Sequence, residues 1–348
     1  MSQSLNRMDA PLLNPDHQAK ESLIGRTGSL HRRDFLAGAI AGLGVIATNA
    51  VQAQSSSGQS LAQAVTKLQV GISTMGFPDL TNEKMAQEAA GAGLKVVQLF
   101  LSQSDSRYWN YNGRSDVSSM TADRSKAIAE AYRAAGVSIH SIGVYTNLIH
   151  PDKSEVEANL AYFDAMMKIG SDMGVHTFIT EAGHYHDKTT CPDVPLHFLD
   201  EVWVRMVMTF KRLADMAANH NAKILVEPYF QSFFSSAKRT RVFLEEVGSD
   251  SIRALLDPAN ILELNDLEEM FSQLGPWIDC IHAKDRKLHT QMGVPAGQGD
   301  VDYVKMVSLA ARLTPHAPLI LEYVGPHDYH QALEKVQTAI KEVHGGEP

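Results

Sequence analysis

From residue 68 onward, short apolar runs alternate with longer stretches whose apolar positions recur every three to four residues. The runs are "LQVGIST" (68–74), "LKVVQLF" (94–100), "VSIHSIGVY" (137–145), "VHTFIT" (175–180), "AKILVEPY" (222–229), "IRALLD" (252–257), "IDCIHAK" (278–284) and "PLILEYV" (318–324). Each is short, largely apolar and followed by a polar or Gly/Pro-containing turn. That pattern predicts strands buried on both faces of a parallel sheet. Stretches between them, such as "SEVEANLAYFDAMMKIGSDMG" and "DYHQALEKVQTAIKEVHG", read as amphipathic helices. Several open on Asp, Asn or Ser and close on Gly or Asn, which suits helix start and stop chemistry. Eight strand–helix units predict an α/β fold, a (β/α)8 TIM barrel, over residues 68–348. A doubly wound sheet is disfavoured, because no G-x-G-x-x-G turn follows the first strand.

The segment before the barrel has a different pattern. "SLHRRDFLAGAIAGLGVIATNAVQA" pairs Arg32 with Arg33, follows them with Phe35 and Leu36, and continues into a Gly/Ala-diluted apolar run ending at Val51-Gln52-Ala53. The run is too short to span a bilayer comfortably and has the order of an export signal. The twin arginines resemble those of a Tat signal. The expectation is therefore a removed signal over 1–53, a linker over 54–67 and a periplasmic mature barrel. It would meet the Tat export machinery and carry no membrane span.

Composition narrows the partners. A hydrophobic fraction of 44% and a charged fraction of 20% fit a globular protein with a sizeable core. The formal net charge is −9 and Lys/Arg occur in no block, which argues against nucleic acid and fits a small neutral or cationic ligand. Cys191 and Cys280 read as two unpaired thiols, one of them core. Whether the barrel pairs with itself as a homo-oligomer is left open.

Four consecutive runs end in a chemically active side chain: Glu227, Asp257, His282 and Glu322. In a barrel these strand ends converge at one mouth, where active sites of this architecture sit. Three carboxylates crowded there repel one another unless a cation neutralises them. One divalent ion held by three carboxylates and an imidazole accounts for all four. The oxygen-rich set favours Mn²⁺, Mg²⁺ or Co²⁺, with Zn²⁺ also compatible.

The ordered motifs "ILVEPY", "LLDPAN", "IHAKD", "GQGDVDY" and "LILEYVG" resemble the xylose-isomerase-like TIM-barrel family, the sugar phosphate isomerases and epimerases. The resemblance implies a metal site of Glu227, Asp257, His282 and Glu322. It also implies that Glu227 and Glu322 are catalytic, one taking a proton beside a carbonyl and the other returning it from the opposite face through an enediolate. The implied substrate is a sugar, ketosugar or polyol, and isomerisation or epimerisation is the leading outcome. A dehydratase or lyase acting on keto-sugars, keto-glycosides or inososes is the alternative, and a non-catalytic sugar-binding barrel the second alternative. Three positions depart from relatives: Asn260 replaces a His, Gln98 a Glu, and Leu288 an Arg. The first speaks against the DNA-repair endonuclease branch, whose multi-zinc cluster needs that His.

Further substrate contacts are expected from Lys284, two residues past His282 on the same strand side, and from Arg286 and Asn260. "TEAGHYHDK" offers Glu181, His184 and His186 at the same mouth, and Trp109, with Tyr108 and Tyr111, is placed to stack on a sugar ring. His140 reads as a core histidine, and Asp300 or Asp302 as a helix cap.

Overall fold

All eight expected strands form, seven of them shorter than the apolar runs and the seventh in order two residues longer. They are β1 (Val70–Ser73), β2 (Val96–Leu99), β3 (Ser138–Gly143), β4 (Thr177–Thr180), β5 (Lys223–Val226), β6 (Ile252–Leu256), β7 (Ile278–Arg286) and β9 (Leu319–Leu321). This computed structural model describes residues 61–185, 194–290 and 292–346. The export-signal reading, His186 and Cys191 fall outside the described residues. Each strand pairs in parallel with the next, β7 pairs with β9, and β9 returns to β1, so the sheet closes into an eight-stranded parallel barrel. A ninth strand, β8 (Gly293–Pro295), was not expected. It pairs antiparallel with the end of β7, Lys284 opposite Pro295 and Arg286 opposite Gly293, and extends β7 beyond the barrel rim.

The outer helices are α1 (Asn82–Gly91), α2 (Ala122–Ala134), α3 (Lys153–Met173), α4 (Asp200–Asn219), α5 (Ala237–Val247), α7 (Leu267–Leu274), α8 (Tyr303–Leu313) and α9 (Tyr329–Gly345). A single turn, α6 (Pro258–Ile261), lies between α5 and α7. The caps follow the sequence: Thr81, Thr121, Asp152, Ser236, Asp266 and Asp302 each accept a hydrogen bond from a first-turn N–H. Of the two acids expected to cap α8, Asp302 does so, and Asp300 instead accepts from the Leu288 N–H. Residues 61–65, expected as linker, are helical, and Val65 is buried in the core.

Strand side chains alternate between two apolar layers. Ile224, Val226, Ala254, Leu256, Ile281, Leu319 and Leu321 face the helices. Val96, Ile179, Leu225, Leu255, Cys280 and Ile320 fill the barrel interior. Burial on both faces is why these runs read as continuously apolar. Gly71 of β1 is required by crowding, since a Cβ there would lie 2.5 Å from the Val96 carbonyl oxygen and 2.7 Å from Ile320 Cδ1. His140, expected as a core histidine, is half-buried in β3 with no hydrogen-bond partner on Nδ1, and burial pushes its imidazole down to about 4 although Asp279 opposes the shift. Among the described residues, no helix is long and apolar enough to cross a membrane.

Candidate metal centre and cavity

The interior plug sets the level of the site. Side chains two residues apart on a strand share a face, so Leu225, Leu255, Cys280 and Ile320 are followed on the inner face by Glu227, Asp257, His282 and Glu322. These four come from β5, β6, β7 and β9, and one ligand atom from each lies within 4.8 Å of every other. All four are buried. Asp257 has two tasks: its Oδ1 accepts from the Asn260 N–H at 3.1 Å, capping α6, while its Oδ2 turns to the cluster.

The imidazole shows what the cluster is built for. His282 Nε2 lies 2.7 Å from Gln98 Oε1, which can only accept, so the Nε2 proton is fixed and Nδ1 becomes the atom aimed at the carboxylates. Nδ1 sits 3.4 Å from Glu227 Oε1, 3.5 Å from Asp257 Oδ2 and 3.4 Å from Glu322 Oε2, and makes no hydrogen bond. A buried lone pair facing three carboxylate oxygens is strongly unfavourable without a cation between them. The local field reflects that demand: burial disfavours the imidazolium, yet the charges of Glu322 and Glu227 push His282 up to about 10. Three carboxylates against the one ammonium of Lys284 leave two negative charges; without a metal a proton on His282 offsets one of them, and a divalent ion taking the place of that proton would balance both. The donor set fits such an ion, with an ordering partner already on the outer nitrogen of its histidine.

Lys284 and Asn260 complete the buried network. Lys284 Nζ lies 2.9 Å from Asp257 Oδ2 as an ion pair without hydrogen-bond geometry, 3.2 Å from Glu322 Oε2 and 2.9 Å from Asn260 Oδ1. The Asn260 Nδ2 donates to Glu227 Oε1 at 2.8 Å. This fixes the amide orientation, since a flip would set NH₂ against the ammonium and oxygen against the carboxylate. Tyr145 Oη donates to Glu227 Oε2 at 2.6 Å. Burial opposes ionisation of Asp257, but Lys284 outweighs it and holds that carboxyl well below the usual range. Burial raises the Glu322 carboxyl despite His282 and Lys284.

Above the cluster opens a cavity of about 360 Å³, within the range of small-molecule sites. Lys284, Asn260, Arg286 and Trp109 line it, as do Glu227 and Glu322. Arg286 donates to the carbonyls of Ala259 at 2.7 Å and Thr290 at 2.9 Å, and stacks over Tyr229 and Phe230. His184 is not part of the wall; the Asn147 side chain holds its backbone N–H and C=O. Several wall residues were not singled out from the sequence. Tyr145 ends the third strand run, a position that could have been flagged by the same strand-end rule. Tyr323 follows Glu322 at φ 56, unusual for a bulky residue, and places its ring 4.2 Å from Lys284 Nζ. Glu181 lies on the same wall, where Tyr111 Oη donates to it at 2.8 Å. Burial, then the charge of Glu227, push its carboxyl up to about 8.

Residues 86–343 match the family described as a xylose isomerase-like TIM barrel. The chain belongs to that family. Its fold is shared by a xylose isomerase domain protein from Planctomyces limnophilus (TM-score 0.62, 18% identity, 80% of this chain and 98% of that one). A probable 3-DHS dehydratase, AsbF, from Bacillus anthracis superposes with TM-score 0.61 at 17% identity over 80% and 100%. D-psicose 3-epimerase from Clostridium cellulolyticum H10, solved with D-tagatose, gives 0.57 at 14% over 80% and 96%. No curated protein matches the sequence. Within this xylose isomerase-like barrel, the departures from the resemblance have local structural partners. Gln98 is the acceptor for His282, Asn260 bridges Glu227 to Lys284, and Leu288 is exposed while Arg286 reaches the cavity.

Proposed function

We propose that the protein is a divalent-metal-dependent sugar isomerase or epimerase that abstracts a proton beside a carbonyl. The observation that carries this reading is the placement of Glu227 and Glu322 on β5 and β9, flanking Asp257 and His282 and both lining the cavity. Glu227, Asp257, His282 and Glu322 would hold the ion, which supplies Lewis-acid stabilisation of negative charge developing on substrate oxygens. Mn²⁺, Mg²⁺ or Co²⁺ suits the oxygen-rich set, and Zn²⁺ is compatible.

Glu227 accepts hydrogen bonds from two donors, Tyr145 and Asn260, and serves as the base. It takes a proton from the carbon next to the carbonyl, whose C–H electrons move into the enediolate. Glu322, with its carboxyl raised by burial, returns a proton from the opposite side. Lys284 and Arg286 orient carbonyl and hydroxyl oxygens, Asn260 holds the base, and Trp109 gives an apolar face for the sugar's C–H surface. His186, which follows β4 in the sequence, is proposed as an outer substrate contact. Residues 1–53 carry the twin-arginine pattern that supports export and a periplasmic site of action.

Lys284 favours a second reading. Burial works against its charge, but Asp257 and Glu322 hold its pKa well above the ordinary lysine value, so a charged ammonium stands beside the cavity as a hydrogen-bond donor. Holding a departing β-oxygen there while Glu322, with its carboxyl raised by burial, protonates it would turn the same abstraction into an elimination. Incubation of the metal-loaded protein with a panel of ketosugars in D₂O separates the outcomes. Deuterium entering an intact sugar marks isomerisation or epimerisation, and loss of water or an alcohol marks elimination. Glu322→Gln should lower turnover at least a thousandfold while sugar binding changes less than threefold. Absence of bound divalent metal in the purified protein near neutral pH would defeat both enzyme readings and leave the sugar-binding barrel.

A further inference from the structure

On the β2–β4 side, the cavity wall is braced from behind by a circuit of hydrogen bonds. The face of α3 that carries Glu155, Asn159 and Tyr162, at i, i+4 and i+7, meets the loop after β2. Tyr162 Oη donates to the Tyr108 carbonyl at 3.2 Å. Arg114 Nη1 donates to Glu155 Oε2 at 2.9 Å and to Asn159 Oδ1 at 2.7 Å. Between these two anchors lie Trp109 and Tyr111, both in the cavity wall. The other end of the amide, Asn159 Nδ2, donates to the Asn147 carbonyl at 2.7 Å, two residues past Tyr145. Asn147 bonds on to His184, its Nδ2 donating to the C=O at 2.8 Å and its Oδ1 accepting from the N–H at 3.1 Å. At Gly183, φ 89, a Cβ would lie 2.4 Å from Asn147 Oδ1, so the two loops approach this closely only over glycine. The circuit closes at Glu181, whose Oε2 lies 2.8 Å from Tyr111 Oη. A phenol bonds a carboxylate or a neutral carboxyl alike, so the closure does not depend on the charge of Glu181.

Asn159 is the junction. It is 2% exposed, beside the buried apolar residues Val156, Leu160 and Phe163 of the same helix. An apolar side chain would pack α3 with less desolvation, whereas a fully bonded amide fixes geometry. Its orientation is set, since a guanidinium only donates and a carbonyl only accepts. We propose that Asn159 is a positioning residue for substrate binding: through Arg114 and Asn147 it sets Tyr111 and the start of the loop after β4, so that three βα loops present one preformed wall. That the wall receives a sugar rests on the reading above.

Two measurements on full-length, metal-loaded protein test this. Trp203→Phe with Trp277→Phe leaves Trp109 as the sole indole, a reporter within the wall. In that background Asn159→Ala should raise acrylamide quenching of Trp109 at least twofold, well below the melting temperature and with bound metal unchanged. Arg114→Gln opens the same circuit at a partly exposed corner and should act in the same direction. Unchanged quenching in both variants overturns the inference. Calorimetry with a panel of neutral ketohexoses, D-fructose among them, supplies a double-mutant cycle. Tyr111→Phe and Asn159→Ala should each weaken binding at least threefold, and the double variant by clearly less than the product, because either change opens one circuit. Losses that multiply overturn action through Tyr111. Wild type that binds none of the panel sinks the sugar-enzyme reading alone, and the quenching result then decides the role of Asn159 by itself.

Discussion

Lys284 and a metal ion held by this cluster would compete for the same oxygens, and replacing Lys284 by Met would expose that competition. Lys284 is 3% exposed, and its ammonium lies 2.9 Å from Asp257 Oδ2 and 3.2 Å from Glu322 Oε2, both atoms that face His282 Nδ1. Removing one partner of a buried ion pair typically costs about 3–5 kcal/mol, because the remaining charges are left uncompensated. In a domain of this size about 1 kcal/mol corresponds to roughly 2 °C, so the metal-free variant should melt roughly 6–10 °C below wild type. Metal binding should move the other way. An ammonium beside a dication repels it by several kcal/mol even at an effective dielectric of about 20, so the variant should bind Mn²⁺ at least tenfold more tightly. Thermal melts in EDTA and in excess Mn²⁺, with affinities from competition against a chelating dye, measure both effects. Weaker Mn²⁺ binding in Lys284→Met, or an unchanged melting temperature in EDTA, would refute the reasoning.

Tyr145→Phe removes a 2.6 Å hydrogen bond to the buried carboxylate of Glu227, worth about 1.5–3 kcal/mol, and should lower kcat/KM roughly 10- to 100-fold at unchanged metal content, read by steady-state kinetics and elemental analysis. His140 is held neutral in the fold down to about 4 against an ordinary value near 6.5, so the unfolded chain binds the extra proton between those limits. Its contribution is present above pH 6.5 and is lost as pH falls toward 4; denaturant titrations should show His140→Phe losing about 2–3 kcal/mol less than wild type over that interval. Gly71→Ala places a Cβ against the Val96 carbonyl and should cost about 1–3 kcal/mol, seen as a lower urea midpoint at constant slope.

The strands were legible because burial on two faces leaves an apolar run with a polar end, and the four ligands because each stands at such an end. What sequence could not show is which neighbours those ends acquire. Tyr145 and Glu227 are 82 residues apart and meet only through the strand order; the Tyr111–Glu181 bond spans 70 residues in the same way. β8 escaped notice because "GVP" carries no strand pattern and pairs only as an extension of β7. His184 was placed at the mouth by proximity to β4, yet backbone bonds to Asn147 set it off the cavity wall.

Asn260 shows how a departure from relatives is absorbed. An imidazole there would offer one donor to the cavity, whereas the amide joins a carboxylate to the ammonium, one end to Glu227 and the other to Lys284. Because α6 begins at the Asp257 cap and carries Asn260 one turn later, a carboxylate of the cluster also positions the side chain that holds Glu227. Asp257, Glu227 and the Lys284 ammonium are therefore mechanically coupled through four residues of sequence, 257–260, and a shift of Asp257 would be felt at Glu227 through this bridge. That coupling gives the Asn a reason to be there that a loss of substrate contact alone would not.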